Sequence, residues 1–178
     1  MDKTALLIID MQVAMYTSEG MYPYKGDEVL ENIRQILEKA RAINMPIVFL
    51  QHSEDEEFEK GKPTWEICSQ IAPLEHEIIV EKSSCDSFYQ TNLHAVLQNL
   101  GVDRLITMGM QSEFCLDTTC RRAFSMDYKN VLIKDAHSTF DNKLLTGEQI
   151  VEHVNHLMGG RFAELKSTAE ILEWMNLR

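Results

Sequence analysis

An aspartate closing one apolar run, a lysine closing another and a cysteine just beyond a third are the residues of this chain best suited to act together. They are Asp10, Lys82 and Cys115. A cysteine thiol has a pKa near ~8.5 and needs help to become the nucleophilic thiolate at neutral pH. Cys115 falls in the first turn of a predicted helix, where unpaired backbone N–H groups and the helix dipole favour an anion. An ammonium such as Lys82 beside it would favour that anion further. Asp10 could take the thiol proton and return it to a leaving group, the work of a general acid–base. Backbone N–H groups around Gln111 and Cys115 could hold an oxyanion. Each residue alone also has a plainer role. A carboxylate ending a strand often turns or caps the chain, a lysine is usually solvated, and a cysteine packs as a small apolar side chain.

The elements that must position these residues follow from the pattern of apolar positions. TALLIID (4–10), IVFL (47–50), HEIIVEK (76–82), RLITMGM (104–110), NVLIKDA (130–136) and a weaker FAELK (162–166) read as strands. Helical periodicity covers 27–44, 93–101, 113–127 and 146–158, and Ser167 caps a last helix. Strands mostly separated by helices predict an α/β fold: a six-stranded parallel sheet between two helical layers, a three-layer αβα sandwich in one domain spanning 1–178. Ligands of such sheets bind beyond the carboxyl ends of the strands, where strand order reverses. With the order 3-2-1-4-5-6, strands one and four meet there, so Asp10 and Cys115 face one crevice. Asp135 and His137 end strand five, either as a second catalytic pair or as a strand-end turn. The long charged segment 51–75 is either a pocket wall or an exposed insertion. Gln12, His52, Trp65, Phe88 and Phe114 are candidates to line the pocket, with the core as their other place.

Composition removes several classes of function. The 178 residues carry 28 acidic and 17 basic side chains, a net charge of −11, and no basic run longer than Arg121-Arg122. A polyanion would be repelled, so no nucleic-acid partner is expected. No apolar stretch approaches the ~20 residues of a membrane span, and the short apolar start lacks the flank of a signal peptide. A cytoplasmic location and no membrane partner are the expectation. Cys68, Cys85, Cys115 and Cys120 show no CxxC spacing, which argues against a structural zinc site and a dithiol redox motif and for free thiols. Neither G-x-G-x-x-G nor a P-loop occurs, so nucleotide binding lacks its usual signature.

Three segments together carry a family likeness. LLIIDMQ (6–12), IIVEKSSCDSF (78–88) and MGMQSEFCLDTTCRRAF (108–124) resemble the isochorismatase-like hydrolases, a family that includes nicotinamidases and other amide hydrolases. The likeness runs on to DAHSTF (135–140) and is closest to the amidohydrolase-like branch. It implies a catalytic triad of Asp10, Lys82 and Cys115, a cis peptide between Met110 and Gln111, and an oxyanion hole from the N–H groups of Gln111 and Cys115. It also implies a homo-oligomer, dimer or tetramer, acting on a small-molecule amide. Nicotinamidases have an Asp-x-His metal motif after the second strand. Here LQHSEDEEF (50–58) has His52 without that motif, so no metal, no cofactor and no nicotinamide are expected. Isochorismatases proper cleave a vinyl ether and commonly lack the cysteine. Keeping Cys115 favours C–N bond hydrolysis through a thioester, with vinyl-ether or ester hydrolysis, or a binding function without catalysis, as the alternatives.

Overall fold

A computed structural model describes residues 3–17 and 22–177. Its sheet contains β1 (Thr4–Ile9), β2 (Ile47–His52), β3 (Ile78–Lys82), β4 (Arg104–Met110), β5 (Lys129–Ser138) and β6 (Glu164–Lys166). All neighbours are parallel, as the alternation of runs and periodic segments implied, and the order is β3-β2-β1-β4-β5-β6, the one expected. All six residues of β1 are buried, which is why it reads as a continuous apolar run and not as an alternating one.

Successive side chains of a strand point to opposite faces, and this divides β1 between two cores. Beyond the short α1 (Ala14–Thr17), Leu6 and Ile8 pack with Val29, Ile33 and Ile36 of α2 (Gly26–Ala42) and with Ile171 and Met175 of α6 (Thr168–Asn176). Ala5, Leu7 and Ile9 pack on the other face. There they meet Leu93 and Leu97 of α3 (Leu93–Asn99), Cys120 and Ala123 of α4 (Asp117–Ser125), and Ile150 and Val154 of α5 (Gly147–Met158). Reciprocal capping boxes fix the starts of α5 (Thr146 with Gln149) and α6 (Ser167 with Glu170). No helix among the described residues is long and apolar enough to cross a membrane.

Two stretches depart from expectation. The helix predicted over 113–127 divides into one π-helical turn, Ser112–Leu116, followed by α4. Periodicity does not distinguish a π turn from an α turn over five residues, so the two were merged. Segment 51–75 begins as the end of β2 and carries two 3₁₀ turns, Glu56–Phe58 and Ser69–Ile71. It is tied to the exit of β1 by an antiparallel bridge between Gln12 and Ile67.

Candidate active site

Parallel pairing brings the chemistry to one end of the sheet. His52 and Lys82 are register partners at the carboxyl ends of β2 and β3, and Asp10 follows Ile9 of β1. Asp10 has φ 50, the left-handed region that aspartate tolerates better than most residues. On the other side Ile9 pairs with Gly109 of β4. Gly109 has φ +123, and a Cβ there would lie 2.1 Å from the carbonyl oxygen of Ile9. Only glycine allows the two strands to end this close together, which brings Met110 and Gln111 beside Asp10. The Met110–Gln111 peptide bond is cis. The π turn that follows carries Cys115, a mode of winding often found at functional sites.

Lys82 is the hub of the arrangement. Its side chain is wholly buried, and its Nζ lies 2.7 Å from Oδ2 of Asp10, also wholly buried. Nζ further lies 3.1 Å from the carbonyl of Ser84, 3.2 Å from Nδ1 of His52 and 3.3 Å from Sγ of Cys115. Both oxygens of Asp10 are buried, and the ammonium 2.7 Å from Oδ2 is the charge that compensates them. An ammonium has no lone pair, so Nδ1 of His52 must accept from it. The proton of a neutral His52 then sits on Nε2, which faces Oε2 of Glu54 at 3.3 Å.

The titration of the cluster reverses one expectation. Burial would favour neutral Lys82, but Asp10 and then Cys115 outweigh it, so its pKa is raised and it remains an ammonium. Burial, then the Asp10 charge, pushes the Cys115 thiol above its ordinary value, and the opposing pull of Lys82 does not overcome them. The sequence pointed to a thiol with lowered pKa. In the structure the shift runs the other way, because burial of the thiol and then the charge of Asp10 outweigh the Lys82 ammonium.

Cys115 opens onto a cavity of about 440 Å³. Phe58, Phe114 and Phe140 supply apolar wall, while Glu54, Cys85 and Gln111 supply polar groups. Of the five residues expected to line it, His52 and Phe114 do so. Gln12 does not: it is fully buried, donates to the carbonyls of His52 and Trp65, and accepts from the N–H of His52. It is a strut between β1, β2 and segment 51–75. Trp65 is also elsewhere, with its Nε1 donating to Oγ of Ser53 at 2.9 Å and Lys60 over its ring. Phe88 is buried and stacks on Tyr128, on the core side of β3.

Asp135 and His137, in the last residues of β5, do not pair with each other. Oδ1 of Asp135 accepts from the N–H and hydroxyl of Thr168, holding the start of α6. His137 is buried between Oγ of Ser112 at 2.7 Å and Oδ1 of Asn155 at 3.0 Å. Burial lowers its pKa to about 4. Cys120 is buried in α4 and free, like the other three cysteines. Phe58, Phe140 and Glu54 were missed by sequence reasoning because loop residues carry no periodicity. Cys85 stood in a quoted motif but without a partner to mark it. Ser84 acts through its carbonyl, which no side-chain type reveals.

Among the described residues, Asp10, His52 and Cys115 are the group whose ligand atoms converge as metal donors would, all within 4.8 Å of one another. They do not fit a metal while Lys82 is in place, since its ammonium contacts all three and is already the cation of the cluster.

A model of the isochorismatase domain matches residues 4–170. A streptothricin hydrolase of Streptomyces noursei is 33% identical over 162 residues, covering 90% of this chain and 63% of its own length. This chain thus spans less than two thirds of that relative. A ureidoacrylate amidohydrolase of Agrobacterium fabrum is 24% identical, over 75% of each chain. Among solved structures, an isochorismatase family protein is 34% identical with a TM-score of 0.89, covering 94% of this chain and 99% of its own. The chain belongs to the isochorismatase family and is a hydrolase of that family.

Proposed function

We propose that the protein hydrolyses a C–N bond, amide or cyclic amide, of a small molecule through a thioester on Cys115, without a metal or cofactor. The observation that carries this reading is the buried Lys82 ammonium held between Asp10 and Cys115 Sγ at the floor of a cavity. Relatives named as a streptothricin hydrolase and a ureidoacrylate amidohydrolase support it.

The resting thiol first gives its proton to Asp10, one oxygen of which lies within 4.8 Å of Sγ. Lys82 has three hydrogens and four acceptors within 3.3 Å, so it turns one from the newly neutral carboxyl to the thiolate. Sγ then attacks the substrate carbonyl, and the N–H groups of Gln111 and Cys115 receive the oxyanion. Collapse breaks the C–N bond, and the Asp10 proton goes to the departing amine or ammonia. Water, deprotonated by Asp10, cleaves the thioester, releasing the carboxylic acid and restoring the thiol. The low-dielectric floor makes each of these charges matter more than it would in water.

The reading extends to the setting. One domain over 1–178 acts as a homo-oligomer, and Phe114 and Phe124, each about half exposed at 51% and 49%, supply apolar surface for such an assembly. Four free cysteines suit a reducing compartment, the cytoplasm. Incubation with small linear and cyclic amides, reading released amine and the intact mass, tests the chemistry. Cys115→Ala should lose on the order of 10³-fold or more in turnover, and the wild type should accumulate an acyl adduct on Cys115. Full activity in Cys115→Ala would overturn the thioester and favour a vinyl-ether or ester hydrolase that needs no thiol.

A further inference from the structure

The cavity that exposes Cys115 is unbalanced in charge. No lysine or arginine is among the described residues that line it. Lys82 lies beneath the floor with a wholly buried side chain, and its charge is matched by Asp10 at 2.7 Å. These two cancel as seen from the cavity, which leaves the carboxylate of Glu54. Its side chain is 60% exposed, and its contact at 3.3 Å is to Nε2 of His52, a ring whose other nitrogen must accept from Lys82. The ring thus lies between Lys82 and Glu54, accepting from the ammonium on one nitrogen and facing the carboxylate with the other.

The surroundings deepen this bias. Residues 54–59 read EDEEFE, five acids in six positions. The nearby lysines are engaged by other carboxylates, Lys60 by Glu81 at 2.5 Å and Lys62 by Glu59 at 2.8 Å. Phe58, Phe114 and Phe140 complete the wall, and aromatic faces attract cations and repel anions. A concave site with one sign of charge on low-dielectric walls concentrates ligands of the opposite sign.

We propose that Glu54 is a specificity-determining residue that admits neutral or cationic small amides with an apolar body and turns away amides bearing a carboxylate or other anion. The inference rests on the reading that this cavity is the substrate site, but it concerns the field at the thiol and is measurable without turnover. Two methanethiosulfonate reagents of similar size serve as probes, one ending in trimethylammonium and one in sulfonate. Their second-order rates at Cys115 are read by peptide-resolved mass spectrometry at low ionic strength, and the cationic-to-anionic ratio is divided by the same ratio for 2-mercaptoethanol.

In the wild type this normalised ratio should be on the order of 10 or more, and Glu54→Gln should lower it by roughly 5-fold. Glu54→Lys should bring it below that of Glu54→Gln, and added salt should shrink the differences. A ratio near 1 in the wild type, or one unchanged in both variants, would overturn the inference. So would failure of the cationic reagent to reach Cys115. None of these results depends on whether Cys115→Ala abolishes turnover, so the failure of the hydrolase reading remains separately visible.

Discussion

The floor and the wall of the cavity are built on opposite plans. The floor consists of Asp10, His52 and Lys82 at the ends of adjacent parallel strands and Cys115 in the turn after β4. Its members are buried or nearly so, and Lys82 binds every one of them. The wall lies mostly between the regular elements: Glu54 and Phe58 from segment 51–75 and Phe140 beyond β5, with Phe114 added from the π turn. Its carboxylate is exposed and its aromatics make few polar contacts. Reaction chemistry demands fixed geometry, which a hydrogen-bonded sheet provides, whereas substrate choice tolerates and uses loop variation. Substitutions on the floor should therefore abolish function or stability, and substitutions on the wall should move selectivity alone.

The harshest test of this division is Lys82→Met. It removes the cation that compensates Asp10, whose oxygens are both buried. Turnover should fall on the order of 10³-fold or more, because the thiolate formed during attack loses its counter-charge. Stability should fall as well, by about 3–5 kcal/mol in denaturant unfolding, the usual cost of breaking a buried ion pair from one side. A variant with near-normal turnover would remove Lys82 from the mechanism and dissolve the distinction between floor and wall.

A second measurement concerns the support under the floor. His137 lies buried between Ser112 and Asn155, directly behind the turn that carries Gln111 and Cys115. Its pKa is lowered from 6.5 to about 4 by burial. Between those values the unfolded chain binds a proton that the folded chain does not, so stability falls as pH drops through this window. The histidine's contribution is fully present above pH 6.5 and lost by about pH 4, amounting to roughly 3 kcal/mol. Urea unfolding from pH 7 to 4.5 should show this slope, and His137→Gln should flatten it. An equal slope in the variant would place the acid sensitivity in another group.

The same contrast explains what the sequence could and could not reveal. Asp10, Lys82 and Cys115 were legible because each closes or follows an apolar run, and the sheet rule sends such ends to one crevice. The parallel sheet was legible because buried parallel strands carry dense apolar runs such as TALLII, whereas the order of the strands had to be assumed. The wall was less legible. Trp65 and Phe88 were nominated by type, yet one hydrogen-bonds Ser53 and the other stacks on Tyr128, while Phe58 and Phe140 face the cavity. An aromatic residue in a loop has no periodicity to say which way it points. Gln12 was read as a pocket residue because it follows Asp10 by two, but its amide satisfies backbone groups of His52 and Trp65 instead. The direction of the Cys115 pKa was likewise out of reach, since it depends first on how deeply the thiol is buried and then on how near Asp10 lies.

The smallest effects give the finest test, because two aromatics of the same segment should then respond differently. Trp65→Phe keeps a ring but deletes the hydrogen bond from Nε1 to Ser53, and should cost about 1 kcal/mol of stability with KM unchanged. Phe58→Leu keeps apolar volume but removes an aromatic face from the cavity, where it also meets the His52 ring edge-on at 5.6 Å. Its KM for an aromatic or cationic amide should rise about 3- to 5-fold, the scale of a lost aromatic contact, with kcat and melting temperature little changed. Steady-state kinetics and thermal melting of the pair decide the matter. If Trp65→Phe raised KM and Phe58→Leu did not, the substrate would approach from the other side of segment 51–75, and the cavity wall would have to be redrawn around Trp65.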